Sequence, residues 1–190
     1  CLNIDLAAGE RLDALGDGKG MVTDDLGGLV IIVSEAAASG GVVRDDVDTA
    51  AAADGADLVV FGESTLQGFD CLCWSYAADR DMALPLDSAP IRQLQDAARK
   101  YATAISFGFI ERDGDALYSS CAFIGADGEI IHRFRRVSIG WKDYRKTDAH
   151  YREGTHFEKF TYCGKTFAIG LCGDCLLYTS PSPRDAHESR

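Results

Sequence analysis

Two short segments carry the residues best suited to chemistry: Phe61-Gly62-Glu63-Ser64-Thr65 and Ala168-Ile169-Gly170-Leu171-Cys172-Gly173-Asp174. Each closes a run of strand-like apolar residues, 56–61 before the glutamate and 166–171 before the cysteine. In an open α/β sheet, ligands bind beyond the carboxyl ends of the strands. A carboxylate and a thiol at two such ends can share one pocket as base and nucleophile. Taken singly, each residue has a plainer explanation. A free Cys after apolar residues packs as a small hydrophobe, and a Glu at a strand end is ordinarily solvated. The pairing is what points to catalysis.

The elements that must hold these residues can be read from pattern. Residues 29–33 form a short apolar run, read as a buried strand. Residues 43–53 suit a helix that leads into a strand at 58–61, a β-α-β succession that predicts a parallel pair. Residues 64–87 read as loop and contain Cys71, Cys73, Trp74 and Tyr76, aromatics that either line a pocket or pack beneath the loop. Ser88 and Pro90 mark a helix start, with Ile91, Leu94, Ala98 and Tyr101 on one face. A meander follows over 104–111, 117–124 and 129–135, with Asp113-Gly114 and Asp127-Gly128 as its turns. Phe107 and Phe109 share one strand face, as do Cys121 and Phe123. A loop carrying Trp141, Lys142 and Tyr144 precedes two further strands near 157–162 and 166–171, joined at Gly164-Lys165. This mixture predicts a layered α/β fold.

Three motifs in order carry a family resemblance. Gly55-Ala-Asp-Leu-Val-Val-Phe-Gly-Glu63 through Gly68-Phe69 resembles the first signature of the nitrilase superfamily, the carbon–nitrogen hydrolases. Gly128-Glu-Ile-Ile-His-Arg-Phe-Arg-Arg136 resembles the second and Gly170-Leu-Cys172-Gly-Asp174 the third, with Tyr151-Arg-Glu-Gly154 similar to the turn between them. The resemblance covers residues 29–174 and implies an α-β-β-α sandwich whose second half is incomplete. It further implies hydrolysis of a non-peptide carbon–nitrogen bond, in an amide or carbamoyl group, without a metal or organic cofactor. Cys172 would be the nucleophile and Glu63 the base.

The cation departs from the family pattern. Arg136 stands where the family carries a catalytic lysine, and arginine stabilises an oxyanion but cannot transfer a proton. Lys142, six residues on in a Gly-flanked loop, is the alternate cation. The family's second glutamate is replaced by Thr147, with Asp148 beside it. These departures motivate a second reading, a non-catalytic binding or assembly relative. A third, a thiol redox protein, rests on Cys172-Gly-Asp-Cys175, a C-x-x-C with no second copy.

Residues 175–190 read as a foreign tail. Cys175-Leu-Leu-Tyr-Thr-Ser-Pro-Ser-Pro-Arg-Asp185 back-translates to a string resembling a transposase-type sequencing adapter, so it is set aside from fold reasoning. On that reading the domain is cut just past its nucleophile, and the chain as it stands is expected to be inactive. Residues 1–28 are rich in Gly and Asp, begin at Cys1 rather than Met, and are left undetermined ahead of the domain.

Composition limits the remaining classes. The 190 residues carry a net charge of −11, which disfavours a nucleic-acid partner. No apolar run is long enough to span a membrane. Seven cysteines without a disulfide-rich framework suit a reducing cytoplasm. The expected partner is a small amide or related molecule, and a homo-oligomer is compatible with the longer parent. Arg133, Arg135 and Arg136 form the one basic patch, with Arg133 and Arg135 read as a solvated strand face.

Overall fold

The computed structural model describes residues 2–5, 19–22, 31–34, 55–68 and 70–174. The helix expected over 43–53 and the whole of 175–190 lie outside the described residues. Six strands form a mixed sheet in the order β2-β3-β4-β5-β6-β7: Lys19–Val22, Ile31–Ser34, Leu58–Phe61, Ala104–Asp113, Ala116–Ile124 and Ile130–Arg135. A second sheet has the order β1-β9-β8, from Leu2–Asp5, Lys165–Ile169 and Lys159–Tyr162. β3, β4 and β5 run parallel, and β5, β6 and β7 form the antiparallel meander. Strands β1 and β2 fall within the segment left undetermined from sequence and pair with β9 and β3.

Alternation along the strands sorts side chains into two cores. Val59, Phe61, Ile105, Phe107, Phe109, Ala122 and Ile124 face α2, the helix Ala89–Tyr101, and pack on its Ile91, Leu94 and Ala98. Pro90 lies in the first turn of that helix, where its missing N–H is harmless, and Ala102 ends it in the left-handed region with φ 51°. The other face of the sheet presents Leu58, Val60, Cys121, Phe123 and Phe134 to Phe167, Ile169 and Leu171 of the second sheet. Phe123 is the centre of this inter-sheet core, with ring centroids of Phe160, Tyr162 and Phe167 at 4.9, 5.1 and 5.7 Å. Each fully buried Phe or Leu contributes roughly 1.5–3 kcal/mol, so this contact is what docks the second sheet. The described layers are therefore helix, sheet and sheet. Among the described residues, no helix is long and apolar enough to cross a membrane.

Two expectations change here. The stretch 64–87 is not all loop, because Tyr76–Met82 forms a short helix, α1. It lacks an apolar stripe, since the side chain it buries is Asp79, and periodicity had nothing to detect. Arg135 is largely covered rather than solvated, and Arg133, though exposed as expected, is tied down. Both bind the buried Glu111, whose Oε1 lies 3.0 Å from Arg133 and 2.8 Å from Arg135, and Ser120 donates to its Oε2 at 2.6 Å. Arg135 also lies over the Tyr118 ring, 3.8 Å from the centroid.

Candidate active site

Glu63 leaves β4 through a tight bend in which Ser64 has φ 54°. The bend is fastened to β5: Gly108 N–H donates to Gly62 O at 3.1 Å, and Leu66 N–H donates to Gly108 O at 3.3 Å. Gln67 adds a two-way clamp on Ile110, donating to its carbonyl at 3.0 Å and accepting from its N–H at 3.1 Å. This close approach requires glycine at 108. A Cβ there would lie 2.6 Å from Gly62 O and 2.7 Å from both Glu63 Cα and Ser64 N. Gly108→Ala is expected to lower stability by roughly 1–3 kcal/mol, because backbone rather than a flexible side chain must move. An unchanged urea midpoint would show that the two segments are not in contact.

The carboxylate is held from one side only. Ser119 Oγ donates to Glu63 Oε1 at 2.7 Å and Arg136 Nη1 donates to the same oxygen at 2.9 Å. Oε2 is buried and has no hydrogen-bond partner among the described residues. Arg136 follows β7 directly and continues its ladder, its N–H donating to Ser119 O at 2.9 Å. Alternation places Arg136 on the face of Phe134, opposite Arg133 and Arg135. Its Nε donates to Ser138 Oγ at 2.8 Å. Nη2 lies where a methyl on Gly173 would approach within 2.9 Å, so the guanidinium reaches the residue beside Cys172.

Cys172 is exposed and sits on a sharp bend after β9 with φ 43°, a strained conformation for a residue with a Cβ. Asp174 holds that bend. Its carboxylate is fully buried and accepts from Val137 and Ser138 N–H at 3.1 and 2.5 Å and from Leu171 N–H at 3.1 Å. One side chain thus ties the thiol's turn to the segment carrying Arg136.

Glu63, Arg136, Lys142 and Cys172 all line one cavity of about 470 Å³. Glu63 and Cys172 arrive there from strands of different sheets, facing each other across the sandwich rather than at neighbouring ends of one sheet. Lys142 is not a mobile alternative. Its ammonium donates to Tyr151 O and lies 3.0 Å from Glu153 Oε1. Thr147 and Asp148 lie elsewhere: the Thr147 hydroxyl donates to Asp143 O, and Asp148 pairs with His150. The loop 70–75 forms a further wall, with Asp70, Leu72 and Trp74 at the cavity. It hangs on Asp79, which accepts from Cys73 N–H at 2.9 Å, Trp74 N–H at 3.0 Å and Tyr151 hydroxyl at 2.6 Å. Burial and that bond to Asp79 push the Tyr151 hydroxyl well above its ordinary range, so it acts as a fixed donor.

Sequence reading missed Ser119, Ser138 and the anchoring role of Asp174. A usable signal was present for Ser119, because adjacent serines on a strand face opposite ways: Ser119 reaches Glu63 and Ser120 reaches Glu111. Among the described residues, no group of three or more His, Cys, Asp or Glu is arranged to hold a metal. Cys71, Cys73, Cys121, Cys163 and Cys172 are free thiols. Cys175, the partner required by the redox reading, lies outside the described residues.

A helix-backed sheet packed on a second sheet, with thiol, carboxylate and guanidinium around one cavity, defines a layered α/β protein with a thiol–carboxylate site. Comparison with known proteins makes the assignment specific. The family model for carbon–nitrogen hydrolases matches residues 19–175. An arylacetonitrilase of Hypocrea virens is 40% identical over 93 residues, 45% of this chain and 28% of that enzyme. A cyanide hydratase of Alternaria brassicicola is 30% identical over 129 residues, 62% of this chain and 31% of that enzyme. A double mutant of the amidase from Nesterenkonia sp. AN1, in complex with acrylamide, superposes with TM-score 0.63 at 15% identity, covering 87% of this chain and 62% of that one. In another structure of that amidase, acrylamide has undergone Michael addition at the active site cysteine. The chain belongs to the carbon–nitrogen hydrolase family, the nitrilase superfamily, and its described residues form the helix, sheet and sheet layers of that family's α-β-β-α fold. The aligned segments span about a third or less of the curated relatives named here.

Proposed function

We propose that this site hydrolyses a non-peptide carbon–nitrogen bond through a thioester on Cys172. The observation that carries the reading is the half-satisfied Glu63 carboxylate: Oε1 is bound by Ser119 and Arg136 while Oε2 is left bare in the same cavity as the thiol. A thiol attacks as thiolate, so it needs a proton acceptor beside it. Glu63 takes the Cys172 proton through Oε2 as sulfur adds to the substrate carbon. With an amide, the carbonyl oxygen becomes an oxyanion that Arg136 Nη2 stabilises. Protonated Glu63 then gives its proton to the nitrogen, and ammonia or amine leaves. Glu63 next takes a proton from water, whose oxygen adds to the thioester carbon. The carbon–sulfur bond then breaks, the acid departs, and the leaving thiolate takes the proton back from Glu63. Arg136 acts throughout as a fixed charge, since a guanidinium does not release a proton.

A second substrate class is favoured by the names of the relatives, which are nitrilases and a cyanide hydratase. With a nitrile, sulfur and proton add across the triple bond to give a thioimidate. Water then adds to its carbon, and loss of ammonia leaves the same thioester. Free thiols among the described residues support a reducing, cytoplasmic setting.

The test is to incubate the protein with phenylacetamide and, separately, phenylacetonitrile, quench in acid and map acylation by peptide mass spectrometry. An acyl group on Cys172 is expected, because this first half-reaction is read without turnover and so also in a chain that does not complete the cycle, and the reagent that gives it assigns the class. Burial pushes the thiols of Cys71 and Cys121 up to about 11, so they remain protonated and unreactive. Acylation spread over exposed thiols such as Cys73 and Cys163, without preference for Cys172, would overturn the reading.

A further inference from the structure

Both cations lining the cavity are already neutralised. Arg136 is committed to Glu63 and Ser138. Lys142 is only 9% exposed in its side chain, lies 3.0 and 3.1 Å from the two Glu153 oxygens, and donates to the Tyr151 carbonyl. The Tyr144 ring covers the ammonium at 5.0 Å, and its hydroxyl donates to Glu153 Oε1 at 2.6 Å. Burial works against the charge on Glu153, but the hydrogen bonds from Tyr144 and Lys142 hold its carboxyl below the usual range, so the pair is ionised. The remaining charged groups on the cavity wall are acidic. Asp143 is paired with the exposed Lys146 at 3.3 Å, and Asp70 is exposed with no ion-pair partner among the described residues. Between them the wall is apolar, from Leu72, Trp74, Ile110 and Trp141.

We propose, resting on the reading of Cys172 as nucleophile, that this cavity selects electroneutral substrates against carboxylate-bearing ones, and that Glu153 sets the selectivity by occupying Lys142. An anionic substrate entering here gives up hydration and finds, among the described residues, no cation whose charge is not already balanced by a carboxylate, while facing the unpaired Asp70. Rejection of one partner by unpaired like charge is a direct route to specificity. The lysine is the feature that makes the choice reversible. Glu153→Gln keeps an oxygen for Tyr144 but removes the negative charge, leaving Lys142 as an unneutralised cation on the cavity wall.

Alkylation of the intact protein tests this without requiring turnover. Iodoacetamide and iodoacetate differ in charge at similar size, and each thiol can be followed separately by peptide mass spectrometry. Cys163, exposed in the turn between β8 and β9, is the internal reference. The iodoacetamide-to-iodoacetate rate ratio at Cys172 is expected to exceed that at Cys163 by about fivefold, the size of one unneutralised like charge on the same wet cavity wall. Glu153→Gln is expected to bring the two ratios together, chiefly by accelerating iodoacetate. Asp70→Asn, at an exposed position, lowers the Cys172 ratio in the same direction and keeps the test decisive should Glu153→Gln fail to fold. Equal ratios at Cys172 and Cys163 in the unmodified protein would overturn the selectivity and leave the nucleophile standing. A Cys172 slower than Cys163 with both reagents would overturn the nucleophile itself, and the proposal with it.

Discussion

Glu63→Gln is expected to slow acylation of Cys172 by about 10²–10⁴, the range associated with loss of a positioned general base. The substitution keeps the shape of the side chain and an oxygen for Ser119 and Arg136, which meet at Oε1. It replaces the bare Oε2 with an amide nitrogen that cannot accept a proton. The deficit should shrink as pH rises, because solvent hydroxide then takes over the deprotonation of the thiol. A deficit that stays constant with pH would make Glu63 a structural support for Arg136 rather than a proton acceptor. Arg136 is itself nearly buried, so some loss of stability is expected as well, and rates are to be compared well below the melting temperature.

Asp174→Ala carries the largest expected effect on stability. Removing the carboxylate leaves the N–H groups of Val137, Ser138 and Leu171 without an acceptor in a fully buried position. Each orphaned donor costs about 1–3 kcal/mol, and the combined loss is expected near 3–5 kcal/mol by urea unfolding. Asp174→Asn retains one acceptor oxygen and should fall between the two. The same change frees the Cys172 bend from the Arg136 segment, so the preference of alkylating reagents for Cys172 over Cys163 should disappear. Asp174→Ala with unchanged stability would mean that the anchor is not formed.

Much of this was legible in the residue pattern because burial follows period. Ile91, Leu94 and Ala98 declared the helix, and Asp113-Gly114 and Asp127-Gly128 declared the hairpins, where both glycines adopt positive φ. Glu63 and Cys172 stood out because each ends an apolar run with a reactive side chain. What the pattern could not convey is which sheet each run would join, since β4 and β9 look alike as strings but belong to opposing layers. Polar anchors were hidden for a related reason. Asp79, Glu111 and Asp174 are buried acids, and nothing local distinguishes them from solvated ones; each has at least one partner from a distant part of the chain, such as Tyr151 for Asp79, 72 residues away. Lys142 read as an unattached, loop-borne alternate cation because its fixing partner, Glu153, is likewise outside the local window, 11 residues on.

The division of the site between two sheets also orders events during synthesis. Glu63, Ser119 and Arg136 belong to a sheet whose antiparallel part is contiguous in sequence, so the proposed base and cation can be in place while later residues are still inside the ribosome. Cys172 is translated afterwards, and it meets them only when the β8–β9 hairpin settles Phe167 against Phe123. Until that docking the thiol has no proton acceptor beside it and behaves as an ordinary surface cysteine. On the proposed reading the site is therefore assembled by the packing of that hairpin, and a hairpin that docks poorly yields a protein with thiol, carboxylate and guanidinium all present and none of them acting together.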